Sequence, residues 1–413
     1  MKIEELENKK ILIVGYGVEG KATYEFLEKF VPSATVAVVD QKDGPGYLDG
    51  QASSDLAVRS PGVKKELIKI PYTTAANIFF ANVKGKVVGV TGSKGKSTTS
   101  ALIAHICEQS HLKVSLCGNI GRPMLQALID EPEAEIFVVE LSSFQLEDAN
   151  FSPHISVITS LFPEHMDYHG DFKMYLQAKK KIVAFAKPED YYVYNPSFPE
   201  LVHLASETSA KATPYVSVLP FSKDIVTLIG EHNLENVRGA VTVAQILGIS
   251  SEVAAKAIST FKALPHRLEN IGAYHGITFY DDAISTTPQS AMAAVKSLNN
   301  ISTIFLGGTD RGYDFDELAQ LIVKSKIQNI VIFPDSGQRI LAALQKYSSS
   351  PLNVLQTSSM EEAVKFAYKF SSKESICLLS TASPSYSLWK NFEEKGQVFK
   401  ENVIKQSKIF KII

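Results

Sequence analysis

Residues 87–97 read VVGVTGSKGKS, an apolar run that ends in a glycine- and lysine-rich turn. Val87, Val88 and Val90 read as a buried strand, and Gly92 and Gly95 let the chain turn so that successive backbone N–H groups converge on one point. Such a nest holds phosphate. Lys96 would reach the outer phosphates, Ser97 would offer its hydroxyl to Mg²⁺, and a helix beginning near Thr98 would aim its positive end at the same anion. Gly92, Ser93, Lys94, Gly95, Lys96, Ser97 and Thr98 are therefore the expected phosphate loop, with ATP and Mg²⁺ as its ligands. The spacing is a variant: Val90 stands where such loops usually begin with glycine, and the nearest glycine is Gly89. A plain turn with an exposed lysine is the competing reading.

Outward from this turn, bulk properties narrow the class. The 413 residues exceed the size at which one core usually keeps growing, so two or three domains are expected. Lys plus Arg number 42 against 44 Asp plus Glu, a balance that offers no broad positive field for nucleic acid. Small partners fit better. Cys107, Cys117 and Cys377 lie in apolar local sequence without CxxC spacing, which argues against a disulfide framework or zinc knuckle and for a reducing cytoplasm. The opening MKIEELENKK leads into a strand without a signal-like apolar segment, and no later apolar run reaches membrane-spanning length. Neither export nor membrane insertion is expected.

The alternation of apolar runs with helical stretches divides the chain into three α/β blocks. In residues 1–80, a strand over 11–14 precedes Gly15, Gly17 and Gly20 in GxGxxG spacing, a helix over 21–30 and a strand over 35–39 that Asp40 closes. This reads as a Rossmann-like unit with an acid placed for a ribose or ring N–H; close helix-on-strand packing is the other reading of the glycines. In residues 81–264, strands at 86–91, 135–141 and 155–160 alternate with helices after Ser97, near 122–129 and over 172–185. That is a central P-loop ATPase-like domain around a largely parallel sheet. A β-rich excursion is expected over 191–228, with strands at 213–219 and 225–228, before helices over 234–247 and 251–261. In residues 265–413, strands at 277–280, 303–306, 330–333, 353–355 and 375–379 alternate with helical segments, which predicts a doubly wound C-terminal domain.

Eight segments in order carry a more specific signal: TGSKGKST (91–98), GNIG (118–121), ELSSFQLE (140–147), EHMDYHGDFKMYLQAK (164–179), GEHNLEN (230–236), HRLE (266–269), YDDAISTTP (280–288) and STASPSYSLWKNFEEKG (380–396). Together they resemble the Mur ligases of bacterial peptidoglycan synthesis, most closely the branch that adds glutamate. The resemblance implies ATP-driven amide formation in a cytoplasmic monomer of three domains. The γ-phosphoryl group would pass to the carboxylate of UDP-N-acetylmuramoyl-L-alanine, and the glutamate amine would attack the acyl phosphate.

It also implies roles residue by residue. Glu140, at the exit of an apolar run, would hold Mg²⁺ with Ser97; a solvated strand-end acid is the bland alternative. His165 would help to coordinate a second Mg²⁺, and Lys179, in a YxxAK pattern with Tyr175 and Ala178, would carry a carbamate made from CO₂ that serves as a metal ligand or orienter. Lys96, Glu140, His165 and Lys179 form the implied catalytic set. Asn233 and Asn236 would lie near adenine, against the reading of a helix cap. Arg267 would meet ATP phosphates and Asp282 the ribose, with an interdomain salt bridge as the alternative. Gly15, Gly17, Asp40, Ser60 and Gly62 would take the UDP end of the acceptor, and Asn119, Ser142, Gln145 and His165 its reacting end.

Departures from the family pattern fall on the incoming amino acid. Where the family has NDSKATN this chain has DDAISTT, so the usual lysine is Ile284, which has no charge to offer a glutamate carboxylate. Thr286 keeps the family hydroxyl, Arg311 falls near a second substrate-binding lysine, and Ser385 and Phe392 match the substrate-binding serine and aromatic. Asp310 and Asp314 could neutralise Arg311 instead. D-glutamate is the expected donor, with L-glutamate open. Rival readings are another Mur ligase or a folylpolyglutamate synthase, an NAD-dependent oxidoreductase built on residues 15–20, and a nonenzymatic nucleotide-binding regulator.

Overall fold

The computed structural model describes residues 1–410 as helices, strands and loops in three sheets. The first sheet contains β1 (Lys10–Val14), β2 (Thr35–Val39), β3 (Leu56–Arg59) and β4 (Tyr72–Thr73), all parallel, in the order β2-β1-β3-β4. The second contains β5 (Lys86–Thr91), β6 (Val114–Gly118), β7 (Ile136–Glu140), β8 (Ile155–Ile158), β9 (Tyr191–Tyr194) and β10 (Lys211–Pro214), again all parallel, in the order β10-β9-β8-β5-β7-β6. The third contains β11 (Glu269–Tyr274), β12 (Ile277–Asp281), β13 (Ile301–Gly308), β14 (Asn329–Asp335), β15 (Asn353–Gln356) and β16 (Ser375–Leu379). Its order is β11-β12-β16-β13-β14-β15, parallel except for the antiparallel edge strand β11.

Continuous apolar runs become central strands because helices cover both faces of a parallel sheet. Ile136, Phe137, Val138 and Val139 in β7 are all buried, as are Val87, Val88 and Val90 in β5. Burying each such valine contributes roughly 1.5 kcal/mol or more. Helices start where a short polar side chain can take up an orphan N–H: Asp171 accepts from Met174 N, and Ser250 from Val253 N.

The segment 191–228 departs from its expected β-rich form. It continues the parallel sheet as β9, the helix Pro199–Glu207 and β10, and residues 213–219 and 225–228 form no additional strands. The chain leaves the sheet after Pro214 because Tyr215 packs its ring against Gly239 and Val216 N donates to Thr242 Oγ1 at 3.0 Å, both on the helix Glu231–Ile246. A second difference is at 172–185, where the helix ends at Lys180 and continues as one 3₁₀ turn, Lys181–Val183.

The chain divides into two compact units, residues 1–226 with 232–261 and residues 227–231 with 262–413. The first unit carries the first and second sheets, and the second unit carries the third. Most of the candidate site residues lie just beyond the carboxyl ends of parallel strands, where open α/β sheets bind ligands. In the second sheet the order reverses between β5 and β8, and the glycine-lysine turn leaves β5 at that crevice.

Candidate active site

Gly92 and Gly95 have φ of 145° and 87°, which a residue with a Cβ rarely adopts. A Cβ at Gly92 would also collide with Thr159 Oγ1, and one at Gly95 with Asn236 Oδ1. The turn is clamped from β8: Ser93 N donates to Ser160 O at 2.9 Å, Lys94 N to Ser160 Oγ at 2.8 Å, and Thr159 Oγ1 to Lys94 O at 2.6 Å. Ser93 Oγ bonds Tyr175 Oη at 2.9 Å. The helix Lys96–Gln109 begins directly after Gly95, so its unpaired N–H groups face the turn. Lys94 is half exposed and pairs with Glu164 at 2.5 Å. Ser97 is partly buried, and Thr98 is buried with its hydroxyl oxygen unpartnered.

Two lysines converge on one carbonyl. Lys96 Nζ donates to Gly92 O at 3.0 Å and to Ser93 O at 2.8 Å, and Lys179 Nζ donates to the same Gly92 O at 2.9 Å. Lys179 is 2% exposed. Its amine is held well below the ordinary lysine range, first by burial and then by the charge of Lys96, against the pull of Glu164 and Glu140. Of its neighbours, Lys180 pairs with Glu207 at 2.8 Å.

Glu140 ends β7 beside Val90 of β5 and is 1% exposed. Oε1 accepts from Asn119 Nδ2 at 2.8 Å, whereas Oε2 is buried without a partner. A buried carboxylate oxygen left unmatched next to a phosphate nest fits a divalent cation, which would complete its coordination. Asn119 is thus joined to Glu140, and Gly118, at φ 102°, allows the approach because a Cβ there would meet Glu140 O.

Asn236 Nδ2 donates to Asn233 Oδ1 at 2.9 Å, and Thr99 Oγ1 donates to Asn236 Oδ1 at 3.3 Å. The pair lies at the third and sixth residues of the helix Glu231–Ile246, and through Thr99 it reaches the first turn of the helix Lys96–Gln109 that follows the phosphate turn. Ser142 and Gln145 form a reciprocal capping box on the helix Ser143–Leu146, and Gln145 Nε2 reaches Glu19 Oε2 at 3.4 Å. Burial lifts the Glu19 carboxyl to about 7. His165 is exposed at φ 57°, opens the helix Met166–His169, and its ring lies 5.1 Å from that of Phe144. The adjacent His169 bonds Ser143 Oγ at 2.9 Å.

In the first sheet, Gly15 at φ 92° receives Ser60 Oγ on its carbonyl at 2.9 Å, which joins the ends of β1 and β3. Gly20 is the glycine required by close helix-on-strand packing, since a Cβ would meet Gly15 O; Gly17 and Gly62 face open space. Asp40 accepts from Tyr16 N at 2.6 Å and from Lys42 N at 3.1 Å, and these bonds hold its carboxyl below the usual range.

Arg267, Asp282, Thr286, Arg311, Ser385 and Phe392 all belong to the second unit. Asp282 is 3% exposed, accepts from Ser380 Oγ at 2.8 Å and Leu268 N at 3.2 Å, and is raised to about 6 by burial. Both its oxygens are used within the domain. Asp310 is engaged by Arg339 at 2.7 Å, Asp314 accepts from Asp316 N, and Arg311 is exposed. Ser385 is buried with its hydroxyl oxygen unpartnered, Thr286 is partly buried two residues after Ile284, and Phe392 opens the helix Phe392–Ile409 with its ring 6.2 Å from His266. His266 Nδ1 bonds Asp281 Oδ2 at 2.7 Å, which raises its pKa, and Gly396 leaves room for that pair.

Lys395 escaped the sequence reading because it sits in the charged run EEK of the last helix. It is fully buried, donates to Thr381 Oγ1 at 2.5 Å, and is pushed down to about 7 by burial, against the pull of Asp281 and Asp282. Between that value and the unfolded lysine pKa of 10.5 the unfolded chain binds the extra proton, so stability should rise with pH across this window. Lys395→Met should remove the slope, which is at most roughly 1.4 kcal/mol per pH unit. Thermal melts of both proteins from pH 6 to 10 check it: the variant's advantage should be largest at the acid end and close at the alkaline end.

A glycine-lysine turn between a parallel strand and a helix, with two lysines donating to one of its carbonyls and a buried acid at the end of the neighbouring strand, defines an α/β protein with a P-loop-like turn. Residues 90–225 match the Mur ligase middle domain and residues 266–383 the Mur ligase glutamate ligase domain. The chain is 33% identical to the UDP-N-acetylmuramoylalanine–D-glutamate ligase of Oenococcus oeni, over 96% of this chain and 97% of that one. It is also 33% identical to the UDP-N-acetylmuramoyl-L-alanine–L-glutamate ligase of Salinispora tropica, over 98% and 99%. The UDP-N-acetylmuramate-alanine ligase MurC of Thermotoga maritima shares the fold at a TM-score of 0.64 and 18% identity, covering 96% of this chain and all of that one. The chain belongs to the Mur ligase family and is a ligase. No helix among the described residues is long and apolar enough to cross a membrane.

Proposed function

We propose that this ligase uses ATP and Mg²⁺ to join glutamate, in its D form, to UDP-N-acetylmuramoyl-L-alanine in peptidoglycan precursor synthesis. The observation that carries the chemistry is the convergence of Lys96 and Lys179 on Gly92 O, beside a Glu140 oxygen that has no protein partner. A carboxylate is a poor electrophile. Transfer of the γ-phosphoryl group to the acceptor carboxylate would give an acyl phosphate with a good leaving group, and the glutamate amine would displace phosphate to form the amide. Lys96 and the N–H groups of the turn would hold the transferring phosphoryl group, a position where fixed positive charge has most effect. Glu140, Ser97 and His165 would hold Mg²⁺, which supplies charge neutralisation on the phosphates when bound.

Lys179 is proposed to act as its carbamate. Its depressed pKa favours the neutral amine, which adds CO₂ and releases one proton. The resulting anion would exchange a like-charge contact with the partly buried Lys96 for an attractive one. On the first sheet, Gly15, Gly17, Asp40, Ser60 and Gly62 are assigned to the UDP end, and Asn119, Ser142 and Gln145 to the reacting end. Asn233, Asn236, Arg267 and Asp282 are assigned to ATP, and Thr286, Arg311, Ser385 and Phe392 to the incoming amino acid.

L-glutamate is a second reading, supported by Ile284 in place of a cationic clamp and by the Salinispora relative named for that isomer. The deciding assay supplies ATP, Mg²⁺, UDP-N-acetylmuramoyl-L-alanine and either glutamate isomer, and weighs the ligated nucleotide by mass spectrometry. Product with the D isomer is expected; product with the L isomer alone reverses the stereochemical assignment, and no product with either rejects glutamate.

A further inference from the structure

Arg59 ends β3 directly before Ser60, and its side chain is fully buried. Nη2 donates to Asp148 Oδ2 at 2.6 Å and lies 3.8 Å from Glu147 Oε2, while Nη1 donates to Val63 O across the turn that contains Ser60 and Gly62. Glu147 in turn accepts from Tyr168 Oη at 2.9 Å. Tyr168 belongs to the short helix that His165 opens, and its ring lies 4.5 Å from Phe144, the ring that also faces His165. One guanidinium thus ties the turn after β3 to the loop after β7 and, through Glu147, to the histidine segment. A buried arginine adds little net stability, because desolvation offsets its ion pairs, but its planar fork fixes the groups it joins.

We propose that Arg59 is a positioning residue for the acceptor, setting the span between the turn that takes the diphosphate end and the loop that meets the reacting carboxylate. The proposal rests on the UDP-linked acceptor assigned above. A lysine at this position keeps the charge, but its single ammonium lacks the planar fork that holds the Val63 carbonyl and Asp148 in fixed relation. Both ends of the substrate would then bind, out of register with each other.

The test compares full-length wild type, Arg59→Lys and the charge-balanced double variant Arg59→Met with Asp148→Asn. Thermal melting, titration with UDP alone and with a nonhydrolysable ATP analogue, and KM and kcat for UDP-N-acetylmuramoyl-L-alanine are measured for each. UDP and the ATP analogue should bind within about twofold of wild type, while KM for the whole acceptor rises and kcat falls about tenfold or more, as a misplacement of roughly 1 Å at the reacting group would give. A folded double variant with wild-type KM and kcat overturns the proposal and leaves Arg59 as charge compensation. Parallel loss of melting temperature, UDP, ATP and acceptor binding in both variants overturns it in favour of a role in the fold alone. Wild type run alongside separates the two assignments: no product from wild type rejects the acceptor reading and the Arg59 role with it, whereas wild-type product with unchanged variants rejects the Arg59 role only.

Discussion

A Lys179→Ala enzyme should lose ligation by about 10²- to 10³-fold, the range found when one preorganised electrostatic group is removed, and should regain part of it when a short carboxylic acid is added. The physical reason is the company that Lys179 keeps. Its ammonium, 2% exposed, would share the Gly92 carbonyl with the partly buried Lys96, so a buried charge would sit beside a like one. Burial and Lys96 both push its amine toward the neutral form, the form that reacts with CO₂. Removing the side chain removes the carbamate and opens a space that acetate or formate can enter as a substitute anion. Turnover with and without added acid, together with the intact mass of wild type under CO₂, checks the assignment. Full activity in Lys179→Ala, or no response to the acid in an inactive variant, would exclude the carbamate role.

Glu140→Gln should be the second severe lesion, and it isolates charge from shape. The glutamine carbonyl can still accept from Asn119, so the bond at 2.8 Å survives while the unpartnered oxygen is replaced by an amide nitrogen. Folding should not suffer, because a buried carboxylate that lacks a full set of partners is a burden on stability. Catalysis should fall by about 10³-fold with a Mg²⁺ requirement shifted to higher concentration, as expected when one hard oxygen ligand is lost. Steady-state rates across a Mg²⁺ titration, with melting temperature alongside, provide the readout. An unchanged Mg²⁺ dependence would remove Glu140 from the metal site.

Much of the fold was legible in residue order. The strands 35–39, 86–91 and 375–379 coincide with β2, β5 and β16; β5 and β16 are largely buried parallel strands with apolar runs, and the half-covered edge strand β2 carries an apolar run as well. The glycines at 92 and 95 announced a turn with positive φ, and both have it. Weaker runs escaped. β6 begins as the mixed sequence VSLCG, and the edge strand β11, ENIGAY, is only half covered, so neither carries a long apolar run. The stretch 213–219 is rich in strand-forming residues, yet Val216 N bonds to the helix Glu231–Ile246 and the Tyr215 ring packs against Gly239 on it, a long-range contact that local pattern does not anticipate.

The candidate site divides in the same way. Lys96 and Ser97 follow from one short motif, whereas Thr159, Ser160 and Arg59 lacked a motif of their own and emerged only as clamps. Backbone conformation and helix starts depend on a few adjacent residues, so the chain read in order determines where the phosphate turn lies and which strand feeds it. The meeting of Lys179 with Gly92, 87 residues apart, and of Asn236 with Thr99, 137 apart, depends on which strands become neighbours. Sheet order is set by the burial of whole faces, a property of the folded ensemble of elements. For that reason the tertiary structure alone decided that a partly buried lysine, a buried lysine and an unmatched carboxylate oxygen come together at one corner.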